Sequence, residues 1–107
     1  MNVTNETEQT PFEYTLNIIG GKWKMRILYQ LAHSKILRFN ELKRNIPKIS
    51  YKMLNEQLKD LENDNIIIRN EYNQVPPKVE YSLSEKGLTL MPVLDSMCAW
   101  GKSKEKH

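Results

Sequence analysis

The chain contains a single cysteine, Cys98, so no internal disulfide can form, and a lone thiol fits a reducing compartment. Histidine is almost as scarce. His33 stands alone inside the chain and His107 is the last residue, too few ligands for a zinc centre or a histidine-dependent triad. No apolar run approaches the roughly 18 residues of a membrane span, and residues 1–10 are polar and acidic, unlike a secretory signal. These absences point to the cytoplasm, with no membrane partner, metal or cofactor to expect. Gly20-Gly21-Lys22 has neither the longer glycine spacing nor the following Ser/Thr of a phosphate loop, and reads better as a helix stop. Asp60, Glu62 and Asp64 alternate like calcium ligands, but no turn glycine or terminal glutamate follows at the required spacing. With no catalytic constellation left, the chain does not read as an enzyme.

What is present is basic charge gathered in the middle. The net charge of +3 divides into −3 over residues 1–20, +8 over 21–59 and −2 over 60–107. Phosphates reward locally concentrated Lys and Arg, so this distribution fits a face for a polyanion. The 107 residues make one domain, organised as a tail at 1–10, a folded unit at 11–101 and a tail at 102–107. A chain so short and polar has a small core, and pairing with a second copy is a common way to complete it.

The apolar pattern divides into distinct segments. Pro11 suits the first turn of a helix that carries Tyr14, Leu16, Ile18 and Ile19 up to Gly20-Gly21. Residues 23–34 repeat Trp23, Ile27, Leu28 and Leu31 at helical spacing, and residues 35–38 suit one strand-like crossing. A short helix over 39–46, with Phe39, Leu42 and Ile46 inward, ends before Pro47. Ser50 offers an N-cap for a helix to about Asn63, with Met53, Leu54, Leu58 and Leu61 inside and Tyr51, Lys52, Asn55, Glu56 and Lys59 outside. Asn63-Asp64-Asn65 supplies the stop, since Asn tolerates the left-handed conformation. The period then changes to two: residues 66–72 and 78–83 form a hairpin around Asn73-Gln74-Val75-Pro76-Pro77. Ser84 caps a last helix bearing Leu88, Met91, Leu94, Met97 and Cys98, bent at Pro92 and ending near Gly101.

Two short helices joined by a tight turn and followed by a hairpin make a winged helix-turn-helix, mainly α with a small β-hairpin. In that arrangement the second helix of the pair enters the major groove of double-stranded DNA by its N-terminal end. The reading helix then begins at Ser50 and offers Tyr51, Lys52, Asn55, Glu56 and Lys59. Asn55 carries the paired donor and acceptor that matches adenine, and Gln57 does the same if it faces outward; by helical phase it could instead sit at the core's margin. Arg38, Lys43, Arg44 and Lys48 flank the turn as candidates to grip the backbone. Pro76, Pro77 and Lys78 are placed to reach the neighbouring groove or phosphates. The same shape also serves protein-interaction modules that have left DNA, and the basic middle segment argues against that alternative.

Gly20-Gly21-Lys22-Trp23, Arg38-Phe39-Asn40-Glu41-Leu42, Ile49-Ser50-Tyr51-Lys52-Met53-Leu54, Gln57-Leu58, Leu61-Glu62 and Val75-Pro76-Pro77-Lys78-Val79-Glu80-Tyr81 together resemble the HxlR-type regulators, MarR-like winged-helix transcription factors of bacteria. The resemblance runs from Pro11 to about Gly101. It implies a homodimer on near-palindromic operator DNA, repressor or activator according to where the operator lies, with the first and last helices as the seam. Tyr14, Ile18, Leu88, Met91, Leu94, Met97 and Cys98 are the seam residues expected here. Trp100 joins the apolar side chains with little else in the chain to cover them. Two-fold pairing would set the reading helices about 34 Å apart, one turn of DNA. Many members of the family sense electrophiles or oxidants with a cysteine just before the proline of the first helix. Thr10 stands there in this chain, which excludes thiol chemistry at that position. Cys98 is similar in placement to a second cysteine that some members bridge between subunits. In this chain it is either a small packing residue or a redox-responsive thiol. A small-molecule effector would fit between the reading head and the dimer helices.

Overall fold

A computed structural model describes residues 9–105. Helix α1 spans Pro11–Ile19, α2 Lys24–Ser34, α3 Phe39–Asn45 and α4 Tyr51–Asn63. Strands β1 (Ile67–Tyr72) and β2 (Lys78–Leu83) follow, then a one-turn helix α5 (Glu85–Leu88) and the long α6 (Met91–Lys104). The fold is α+β, a helical head with an antiparallel two-stranded wing. Residues 1–8 of the expected N-terminal tail lie outside the described residues.

Local chemistry sets most boundaries. Pro11 occupies the first turn of α1, and the Thr10 hydroxyl accepts the Glu13 amide at 3.0 Å. Thr10 is thus a helix cap. Gly20 closes α1 where a Cβ would stand 2.3 Å from the Leu16 carbonyl oxygen, a contact only glycine avoids. Ser50 accepts the Met53 amide at 3.0 Å and starts α4, and Asn65, at φ 62°, turns the chain out of it. Removing that cap hydroxyl with Ser50→Ala should cost about 1 kcal/mol. The check is a lower urea midpoint with an unchanged slope.

The core is one cluster built where α2, α3 and α4 meet the foot of the hairpin. Ile27, Leu28 and Leu31 of α2 pack with Leu42, Ile46, Ile49, Leu54, Leu58 and Leu61, and Ile66, Ile67 and Tyr81 close the cluster beside the sheet. Strand pairing runs from Ile67 opposite Leu83 to Tyr72 opposite Lys78. The crossing expected at residues 35–38 is a single bridge: Leu37 and Tyr81 exchange two backbone hydrogen bonds, at 3.0 and 2.8 Å. That bridge ties the wing to the helical head.

The C-terminal region departs from expectation in three ways. It is two helices, not one bent helix: α5 ends at Leu88, and Pro92 lies in the first turn of α6, where its missing N–H costs nothing. Ser84 caps the start of α5, its hydroxyl accepting the Gly87 amide at 2.9 Å and donating to the Asn65 carbonyl at 2.5 Å. Second, α6 runs past Gly101 to Lys104, so residues 102–104 of the expected tail at 102–107 are helical, while 106–107 lie outside the described residues. Lys102 and Lys104 sit in its last turn, where positive charge favours the helix dipole. Third, Leu94 is not on a free seam. It is 6% exposed and belongs to the chain's own core, one turn beyond partly buried Leu90.

Candidate nucleic-acid interface

Helix α4 presents one apolar and one polar face. With Leu54, Leu58 and Leu61 buried beneath it, Tyr51, Lys52, Asn55, Glu56 and Lys59 are all exposed on the opposite side. Gln57 is turned toward the core's margin, its Nε2 3.4 Å from Met53 Sδ, so it is not among the outward polar groups. Ser50 spends its acceptor lone pair on Met53, while the amides at the start of the first turn have no partner within the helix.

The turn residues do different things. Arg38 is exposed and precedes α3, its backbone N–H held by Glu41 Oε1 at 2.8 Å, which fixes the start of that helix. Arg44 and Lys48 are exposed, and Lys48 takes φ 71°, the left-handed residue that makes the tight turn. Lys43 is half-buried, with Nζ 4.9 Å from the centre of the Tyr51 ring, and that ring stacks on Phe39 at 6.0 Å and 9°. These contacts lock α3 to the first residue of α4 and give Tyr51 a fixed orientation. Composition gives no sign of this cluster, because its three side chains come together only when α3 packs beside the start of α4.

The wing tip is residues 73–77, with Val75 99% exposed and Pro76 and Pro77 also exposed. Lys78 sits below the tip rather than on it: Nζ is 3.4 Å from Glu80 Oε2 and 5.0 Å from the centre of the Tyr72 ring. Elsewhere Lys24 pairs with Asp60 at 3.4 Å, pinning α4 to α2, so Asp60 is a strut. The described residues hold no group of three or more His, Cys, Asp or Glu able to bind a metal ion. None of their helices is long and apolar enough to cross a membrane.

The remaining expected residues lie on α1, α5 and α6. Tyr14, Leu88, Met97 and Cys98 are exposed, while Ile18 and Met91 are partly buried against the core. Phe12, Leu16 and Trp100, the last 67% exposed, extend the apolar surface. A cleft of about 490 Å³ opens between α2, the turn and α6, with Met25, Arg26, Tyr29, Pro47, Met97 and Cys98 among its lining.

A helix pair joined by a tight turn, an outward polar face on the second helix and a two-stranded wing beside it define a winged helix-turn-helix transcriptional regulator. The chain belongs to the HxlR-like helix-turn-helix family, whose model matches residues 18–107. It is 54% identical over 104 residues to the HTH-type transcriptional regulator YdzF of Bacillus subtilis (strain 168), covering 97% of this chain and 95% of that one. The redox regulator HypR in its oxidised form superposes with a TM-score of 0.84 at 48% identity, covering 92% of this chain and all of that one. The HTH-type regulator ytcD gives a TM-score of 0.85 at 53% identity, over 89% and 96% of the two chains.

Proposed function

We propose that the chain acts as a homodimer on a near-palindromic operator, α4 of each copy in a major groove and the two wing tips in the flanking minor grooves. The observation that carries this reading is the outward row of Tyr51, Lys52, Asn55, Glu56 and Lys59 on a helix whose other side is sealed into the core. Asn55 then reads an adenine, Lys52 and Lys59 take guanine or phosphate, and Arg38, Arg44 and Lys48 hold the backbone on either side of the turn. Lys43 acts by a different route, since its ammonium also orients Tyr51. The second copy is supported by the apolar side chains left uncovered on α1 and α6, which a single chain of this size does not bury.

The test starts from genomic fragments selected by the protein, from which the shared sequence is read. Affinity for that sequence should fall with salt at a log–log slope near −0.9 for each phosphate neutralised. Arg44→Ala should weaken operator and random duplex alike. Asn55→Ala should instead erase preference at one base pair of each half-site, by about 1–3 kcal/mol, while binding to random duplex stays unchanged. Uniform loss with both variants would contradict the placement of α4.

A further inference from the structure

Arg69 is a cation on the wing itself, outside the helix pair and the wing tip. It stands on β1 opposite Tyr81, and strand alternation puts it on the same side of the hairpin as buried Ile67, facing α4. Between the two elements is a notch of about 330 Å³ lined by Asn55, Leu58, Lys59, Glu62, Arg69 and Tyr81. The guanidinium is already engaged: Nη1 lies 3.0 Å from Glu71 Oε1, two residues along the same strand. Glu71 first, and then Tyr81, raise the Arg69 pKa further above its ordinary value, so the group stays charged throughout the working range of pH.

The position of this pair relative to the two reading elements matters more than its strength. If α4 occupies a major groove and the wing tip the adjoining minor groove, the sugar–phosphate strand dividing those grooves has to pass over the notch. Lys59 forms one wall there and Arg69 the other. The Arg69–Glu71 pair is open to solvent, with side chains 37% and 61% exposed, and an exposed pair of this kind holds weakly. A phosphodiester offers the same guanidinium two oxygens at once, in a geometry arginine matches better than any other side chain.

We propose that Arg69 is a phosphate-binding residue of the DNA interface kept occupied by Glu71 in the free protein, and that the strand between the two grooves displaces Glu71 on binding. Glu71 is then a brake. It makes the free protein's wing less attractive to any duplex, and it offers the guanidinium a partner to return to as the DNA leaves. This inference rests on the DNA-binding reading above and adds to it a residue and a competition within the chain.

The experiment is a set of duplex-binding titrations across salt for wild type, Arg69→Gln, Arg69→Lys, Glu71→Gln and the Arg69→Gln/Glu71→Gln double variant. Each variant's melting temperature is recorded to show that it is folded. Arg69→Gln should lose about tenfold in affinity for operator and random duplex alike, and its salt slope should be shallower by about 0.9. Arg69→Lys should keep the slope and recover part of the affinity. Glu71→Gln should bind about three- to fivefold more tightly, a gain that falls below about twofold when Arg69 is already Gln. An unchanged slope in Arg69→Gln would overturn the phosphate contact. An equal gain from Glu71→Gln in both backgrounds would overturn the competition. If wild type fails to bind any duplex at low salt, the DNA-binding reading itself falls, an outcome distinct from the other two.

Discussion

Placing glutamate at Met97 and Trp100 together should abolish tight operator binding while leaving the helical head folded. Both side chains are on the outer side of α6, 52% and 67% exposed, so neither change opens the chain's own core. In the proposed dimer they lie in the seam with the apolar residues of α1, and four buried carboxylates without partners would be prohibitive there. Once the two reading heads are unlinked, each half-site binds alone. Linking two heads typically strengthens binding by about 10²–10⁴-fold, and the double variant should lose a factor in that range. Sedimentation should show a monomer with an unchanged helical circular dichroism spectrum. A variant that remained dimeric, or that bound operator within twofold of wild type, would move the seam elsewhere.

The second large effect concerns stability. A Cβ built on Gly87 would lie 2.1 Å from the Ile66 carbonyl oxygen and 3.2 Å from its carbon. Neither can retreat, because that oxygen also accepts the Ser84 amide at 2.9 Å, and Ile66 is buried between α4 and the sheet. Gly87→Ala should therefore cost about 3 kcal/mol, near the upper end for overpacking at a rigid site. At about 4–8 °C per kcal/mol for a domain of this size, the melting temperature should fall by about 12–24 °C. Calorimetry at fixed protein concentration measures it, and a fall under 4 °C would mean that the short helix α5 can slide off Ile66.

Much of this architecture could be read directly from the residues, for identifiable reasons. The inner stripe Leu54, Leu58 and Leu61 follows from helical period, the start at Ser50 from its hydroxyl, and the stop at Asn65 from its tolerance of positive φ. Each is local chemistry within a few residues. The misjudged features depend on contacts far apart in the chain. The break between α5 and α6 is set by Gly87 against Ile66, 21 positions earlier, so Pro92 looked like a kink when it was a helix start. Leu94 shares its stripe with exposed Met97, and only the packing of α6 on α2 separates inner from outer. Alternation along β1 already placed Arg69 on the side of Ile67. Its role went unseen because nothing local reveals that this side looks across a notch at Lys59.

The most direct test is affinity cleavage from beside the reading helix, with a chelated iron tethered at exposed residue 40 on α3 in the Asn40→Cys/Cys98→Ser variant bound to its operator. Two clusters of strand scission centred about 10 base pairs apart, one in each half-site, are predicted. Scission spread evenly along the duplex, or confined to a single position, would contradict the placement of α4 and of its symmetry mate.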